Sequence, residues 1–276
     1  MDERLYLARA ARHKWEEPCI SGTKGSGAVF FSGCGLRCCF CQNYDIAIGS
    51  RGRAVSVERL GEIFLELKEK GAANINLVTG AHYVPQIIEA LDMARRKGLD
   101  IPVVYNSSGY EKTETLKLLE GYVDIYLPDL KYLDPELAQK FSNAPDYVQA
   151  AKAAIGEMVR QTGKCEFGED GYIRKGTIVR HLILPGHTGN SIKALRYLHE
   201  TYGEDIYISI MNQYTPVRKF VEFKELNRKV TKREYEKVLD AAVDMGIQNG
   251  FIQEGETASE SFIPDFDYEG VEKNTP

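Results

Sequence analysis

Residues 28–43 read Ala28-Val29-Phe30-Phe31-Ser32-Gly33-Cys34-Gly35-Leu36-Arg37-Cys38-Cys39-Phe40-Cys41-Gln42-Asn43, an apolar run that breaks into a glycine-bracketed turn with cysteines spaced Cys-x3-Cys-x2-Cys. Thiolates are the usual ligands of iron–sulfur clusters, and a cubane of four irons normally takes four of them. This turn supplies three, Cys34, Cys38 and Cys41. Three thiolates on four irons leave one iron open to a further ligand, and an open position separates a reactive metal site from a structural one. An apolar run feeding straight into the turn puts the ligands at the carboxyl end of a strand, where parallel barrels keep their active sites.

Simpler uses of these cysteines fit less well. Structural zinc calls for a fourth Cys or His at matching spacing, and neither Cys19, Cys39 and Cys165 nor the five histidines form a second ligand pair. A disulfide framework is disfavoured because Cys38 and Cys39 are adjacent and the opening residues lack a secretory apolar core. The bacterial ferredoxin run, with its fourth cysteine, does not match. Cys19, Cys39 and Cys165 read as small buried or incidental side chains.

Outward from the turn, short β-rich runs alternate with helical patterns, the rhythm of parallel strands joined by crossover helices. Strands are predicted at 28–33, 75–79, 103–106, 123–127, 177–184, 206–211 and 250–253, with helices near 56–70, 83–97, 112–120, 146–161, 191–202 and 231–245. The last helix opens on Thr231-Lys232-Arg233-Glu234, a capping box. Six or seven units are too few for a closed eightfold barrel. The expected fold is therefore α/β, a partial open (β/α)6-type barrel over residues 28–253. A short N-terminal extension (1–27) precedes it, with a helix over the amphipathic stretch 5–12 and a flexible lead at Gly25-Ser26-Gly27, and a C-terminal tail (254–276) follows. That tail, with Phe262-Ile263-Pro264-Asp265-Phe266, either packs over the barrel or stays loose.

The 276 residues suffice for one large domain, and the net charge of −5 is spread along the chain, which gives no nucleic-acid footprint. No stretch approaches the roughly 18 apolar residues of a membrane span. A reducing cytoplasm is the expected setting, without nucleic-acid or membrane partners.

The cysteine turn, with Phe40 just before its last cysteine, resembles that of the radical S-adenosylmethionine enzymes. In that family three thiolates hold a 4Fe–4S cluster, the amino and carboxylate groups of S-adenosylmethionine chelate the fourth iron, and reductive cleavage yields a 5′-deoxyadenosyl radical that abstracts hydrogen. The resemblance implies that Cys34, Cys38 and Cys41 are the cluster ligands and that Phe40 packs on the adenine. Polar residues end the successive strands: Thr79-Gly80-Ala81-His82, Asn106-Ser107-Ser108, Asp129-Leu130-Lys131, the Arg180 to Gly186 segment, and Asn212-Gln213. This set is similar to activating enzymes of glycyl-radical enzymes, of the pyruvate formate-lyase activating type, over about residues 28–253.

By that resemblance Thr79 and Gly80 present backbone groups to the methionyl amine, and Asn106, Ser107, Lys131 and Arg180 bind the carboxylate and ribose. Asp129 helps bind a monovalent cation, against the plainer reading of Asp129 and Lys131 as a surface ion pair. The chain departs from the activase pattern where Gly-Gly-Glu is usual (Thr79-Gly80-Ala81-His82), where an aspartate is expected (Asn106), and where histidine is common (Asn212, Gln213). His82 and His187 sit in turns from which either would be able to face the site.

The implied activity is hydrogen abstraction from a glycine of a partner glycyl-radical enzyme, with a flavodoxin or ferredoxin as electron donor. The alternatives are a radical enzyme acting on a peptide or small molecule, and a non-catalytic electron-transfer or binding protein.

Overall fold

The structure is a computed structural model of the 276-residue chain and describes residues 4–253, 264 and 266–272. The first third of the chain forms β1 (Leu5–His13), α1 (Pro18–Ser21), β2 (Ser26–Phe31), α2 (Tyr44–Ala47), β3 (Arg53–Val55), α3 (Val57–Glu69), β4 (Ile75–Val78) and α4 (Val84–Arg96). The middle third adds β5 (Val103–Ser107), α5 (Thr113–Lys117), β6 (Ile125–Pro128), α6 (Pro135–Ser142), α7 (Tyr147–Thr162), β7 (Glu166–Phe167) and β8 (Ile173–Leu182). Then come α8 (Thr188–Tyr202), β9 (Tyr207–Met211), α9 (Lys232–Asp244) and β10 (Gly250–Ile252).

The sheet runs β10-β9-β8-β6-β5-β4-β2-β1-β3, with β7 paired to β8 off this path. All neighbours from β2 through β10 along it are parallel, and β1 lies antiparallel between β2 and β3. The sheet has two free ends, β3 and β10, and one cavity is lined from β2, β4, β5, β8, β9 and β10 and by Asp129 just past the end of β6. It therefore curls into the expected open partial barrel. The parallel strands read as near-continuous apolar runs because helices cover one face and the barrel interior the other; β2, β4, β5 and β6 are buried at every position.

Helices pack by apolar stripe. In α3, Leu60, Ile63, Phe64 and Leu67 fall at helical spacing and are almost wholly buried among β1, β2, β4 and α4, each contributing about 1.5–3 kcal/mol. Ser56 caps the helix by accepting from Arg59 N at 3.2 Å. The capping box predicted for α9 is present, Thr231 Oγ1 taking Glu234 N and the Glu234 carboxylate taking Thr231 N. Helix α6 was not legible from periodicity. It starts on Asp134-Pro135, where the Asp134 carboxylate accepts from Glu136 N at 2.9 Å.

Residues 5–12 correct the expected N-terminal helix: they are strand β1, covering the edge of β2. The register with β2 slips between Leu7 and Arg9. That bulge moves the residues facing α3 from positions 5 and 7 to position 10 while Ala8 turns to the interior, so the buried residues lose their period of two and imitate a helical stripe. Ser26 and Gly27 are likewise buried strand residues rather than a flexible lead.

The described part of the tail packs on this added strand. Ala10 N donates to Glu269 O at 2.8 Å, and Gly270, at φ +72°, lies so close to Ala10 O that a Cβ would clash. Phe262, Ile263 and Asp265 lie outside the described residues.

The bottom of the barrel is closed from inside. α1 sends Cys19 and Ile20 between Val104, Ile125, Leu127 and Ile178, a dry plug that also takes in Cys165. The chain just before α1 therefore borders the interior: Lys14 and Trp15 stay exposed, Glu16 is partly buried and Glu17 is buried.

Candidate active site

The cysteine turn leaves β2 at Phe31 and is pinned by backbone bonds on both sides. Gly33 N donates to Ile46 O at 2.8 Å, Cys34 N to Ala47 O at 2.9 Å and Cys39 N to Phe141 O at 2.7 Å. Gly33 sits at φ +97°, a conformation open chiefly to glycine. Cys34, Cys38 and Cys41 all line the cavity that the strands enclose, whereas Cys39 points outward into a second surface hollow beside Arg218. Phe40 is buried edge-on between Phe141 and Tyr214, at 6.4 and 6.2 Å, with its face reaching the cavity. Burial raises all three thiols, Cys41 to about 12, and Lys131 opposes the shift in each case. Ser142 Oγ donates to Cys38 Sγ at 3.1 Å and meets Tyr132 Oη at 2.7 Å.

The cavity measures about 500 Å³, inside the roughly 300–1,000 Å³ range of cofactor and small-molecule sites. Strand register sorts its wall into levels. Asp129, just past the end of β6, pairs with Arg180, and Ser209 and Phe251 continue that row across β9 and β10; Val78 and Asn106 pair across β4 and β5, with Asn106 opposite Leu127 of β6. Above that row Thr79, Ser107 and Lys131 reach the cysteine turn, and below it lies the apolar plug. Thr79 adopts φ +63°, an uncommon conformation for a β-branched residue, held by Thr79 N to Asn106 O at 2.9 Å.

The polar row is one connected network. Arg180 donates from Nε to Asp129 Oδ1 at 3.1 Å, from Nη1 to Glu16 Oε2 at 3.0 Å and from Nη2 to Asn106 Oδ1 at 2.6 Å. Lys131 Nζ donates to the other Asp129 oxygen at 2.6 Å. Asp129 and Lys131 retain only 16% and 18% of their side-chain exposure, so they are not a surface pair. Burial pushes the Asp129 carboxyl up, but Lys131 and Arg180 outweigh it and hold the group below the usual range. Both Asp129 oxygens accept from the chain's own cations, Oδ2 from Lys131 and Oδ1 from Arg180. Among the described residues no group of three or more His, Cys, Asp or Glu converges to hold a single ion. Three separate thiolates facing one cavity instead suit a body with several iron corners, each taking one sulfur.

Of the residues named from sequence, Cys34, Cys38, Phe40, Cys41, Thr79, Asn106, Ser107, Asp129, Lys131 and Arg180 come together on this cavity. Gly80 does not line it; it lets the chain pass Ile87 of α4, whose Cδ1 would lie 2.7 Å from an added Cβ. His82 backs the cysteine turn behind Gly33, and His187 packs edge-on to Phe141 beside Glu225, both off the cavity wall.

Three carboxylates were missed. Glu16 and Glu17 line the cavity from the segment ahead of α1, and Glu111 accepts from Tyr105 Oη at 3.0 Å and from Ser107 Oγ. Burial raises Glu111 to about 7 against those two donors. Its only sequence signal is a place four residues beyond Ser107 in the same strand-end loop.

A sequence model described as the radical SAM superfamily matches residues 28–198. An uncharacterised protein of Methanocaldococcus jannaschii is 28% identical over 224 residues, 79% of this chain and 62% of its own length. A pyruvate formate-lyase-activating enzyme of Clostridium pasteurianum is 27% identical over 113 residues, 39% of this chain and 46% of its own. The chain thus spans less than two thirds of the length of these curated relatives. The crystal structure of Streptococcus suis SuiB bound to S-adenosylmethionine superposes with TM-score 0.54 at 15% identity, over 83% of this chain and 52% of that one, a likeness of fold. No helix among the described residues is long and apolar enough to cross a membrane.

Proposed function

The chain belongs to the radical SAM superfamily, and on that premise we propose that it activates a partner protein by taking a hydrogen atom from a glycine Cα, as an activase of the glycyl-radical type. The family's cofactors are a 4Fe–4S cluster and S-adenosylmethionine, which when bound and reduced together supply a carbon-centred species that abstracts hydrogen. The observation that carries the assignment is the convergence of Cys34, Cys38 and Cys41 with Lys131 and Arg180 on one cavity.

In this reading the three thiolates hold the cluster at the mouth. Their raised affinity for protons means that iron has to displace a proton at each, which Lys131 eases by favouring the anion at all three. Thr79 turns its strained backbone to the methionyl amine. Lys131 and Arg180, held by Asp129, orient the carboxylate, and Asn106 and Ser107 take the hydroxyl groups. Arg180 is immobilised at three of its nitrogens, so it arrives already oriented. The walls of Phe40, Leu36, Leu182 and Met211 exclude water from the reacting carbon. The likeness to the Clostridium pasteurianum enzyme supports the activase choice within the superfamily.

The test is anaerobic. After reconstitution with iron and sulfide and reduction, the wild type forms 5′-deoxyadenosine from S-adenosylmethionine and the Cys38→Ala variant does not. A candidate glycyl-radical enzyme added to the reaction then gains a glycine-centred EPR signal. A loaded, reducible cluster that never yields deoxyadenosine with or without such a partner overturns the enzyme assignment. Deoxyadenosine without any glycyl signal, together with hydrogen loss from a small molecule, overturns the activase assignment alone.

A further inference from the structure

The residues proposed to hold the cofactors occupy the cysteine turn and the β4 to β8 wall, and on the wall made by β9, β10 and the N-terminal segment only Met211 and Glu16 take part in that reading. Glu17 stands at the floor of that side. It is 8% exposed, and its Oε2 has no hydrogen-bond partner. A buried carboxyl oxygen left unpaired costs about 1–3 kcal/mol or more, so its retention calls for an explanation. The position is rigid: Glu17 O accepts from Ile20 N at 2.8 Å and Ser21 N at 3.0 Å, and Pro18 opens α1 directly after it.

The charges around Glu17 are already matched, with Lys131 and Arg180 set against Asp129 and Glu16. Burial raises the Glu17 carboxyl, Arg180 and a hydrogen bond from Ser209 opposing it and Glu16 adding to it. A neutral carboxylic acid is a donor as well as an acceptor. Higher on the same wall Gln213 turns its amide nitrogen toward nothing better than the Met211 sulfur at 3.7 Å, while its Oε1 accepts from Gln253 at 2.9 Å. A protonated Glu17 would join Gln213 as a second neutral donor on this wall, beside the apolar Phe251 and Ile252.

We propose that the β9–β10 side of the cavity is a substrate subsite for an uncharged amide, in which Glu17 donates a hydrogen bond to a main-chain carbonyl next to the target glycine. The inference rests on the activase reading and adds a specificity residue to it. Glu17 lies outside residues 28–198, the span that matches the superfamily.

The only tryptophan of the chain, Trp15, lines the same cavity and reports its occupancy by fluorescence without any turnover. The probes are N-acetyl-triglycine amide, which is uncharged, and triglycine amide, which carries a free ammonium, titrated into the full chain. The expected result is that the acetylated peptide binds wild type, that Glu17→Gln, still a donor, stays within about threefold, and that Glu17→Leu weakens binding about tenfold, the worth of one buried hydrogen bond. Glu17→Met, equally unable to donate, takes the place of the leucine variant if that one fails to fold.

Equal binding by wild type and the non-donor variants overturns the proposal, as does absence of a fluorescence response at millimolar peptide. So does a preference for the ammonium peptide that Glu17→Gln abolishes, since Glu17 would then be an anionic site. Failure of the activase reading registers separately, as deoxyadenosine formed by the reconstituted wild type with no glycyl signal on any partner, with the peptide titration unaffected.

Discussion

Replacing Asp129 by Asn keeps the side chain's volume and removes its charge from between Lys131 and Arg180. Arg180 keeps Glu16 at 3.0 Å and Asn106 at 2.6 Å, so its charge stays matched. Lys131 loses the one carboxylate it pairs with among the described residues, at 82% side-chain burial (18% exposed). Breaking a buried pair by removing one partner costs about 3–5 kcal/mol; with a single cation orphaned, the lower end, about 3 kcal/mol, is expected. For a chain of this size that corresponds to a fall of roughly 6–12 °C in melting temperature.

The effect should be level across the neutral range. Asp129 has its folded pKa below the unfolded value of 3.8, so its contribution is complete above that value and is lost as pH falls through the folded one. Lys131 has its folded pKa raised above 10.5, so its contribution is complete below that value and is lost only as pH rises past it. Urea unfolding of the full chain under reductant, followed by circular dichroism, measures the loss. The Asp129→Asn, Lys131→Met double variant, which removes the orphaned cation, should recover at least half of it. A cost within 1 kcal/mol, the usual worth of a surface pair, or a double variant no better than the single, would refute the buried-network reasoning.

Ser142→Ala removes the hydroxyl that donates to Cys38 Sγ at 3.1 Å; a redox titration of the reconstituted cluster followed by EPR should find its potential lower by roughly 20–60 mV, one hydrogen bond's worth for a one-electron couple. His181 is wholly buried, with Nδ1 2.6 Å from Leu130 O and Nε2 2.9 Å from Ser191 Oγ, and burial lowers it to about 4. The unfolded chain therefore binds a proton there that the native state refuses between pH 6.5 and about 4, and the wild type should lose about 3 kcal/mol over that interval beyond what a His181→Gln variant loses, read from urea midpoints at each pH.

The parallel core was legible because each strand is an unbroken apolar run closed by a polar end, and the strand ends converge when the sheet curls. Asn106, Asp129 and Arg180 meet in space for that reason alone. The cysteine turn was legible because its ligands lie within eight residues of one another. What escaped was the part in which distant segments share the interior. β1 hid behind a bulge that erased its alternation. Glu16 and Glu17 read as two surface acids ahead of a proline, since nothing in Trp15-Glu16-Glu17-Pro18 tells that both carboxyl groups turn toward the cavity and that Arg180, more than 160 residues on, pairs with one of them.

The same geometry divides the cavity's labour along the chain. Residues within 28–198, the span that matches the superfamily, build the cysteine turn and the β4 to β8 wall. The floor and the far wall come from residues 13–18 and from β9 and β10, outside that span. A change at Glu17 or Gln213 therefore alters what is admitted to the cavity while leaving the thiolates and the Asp129 network in place. Specificity and radical chemistry can then vary independently, and substitutions on the two sides should be additive except at Arg180, which touches both through Glu16 and Asp129.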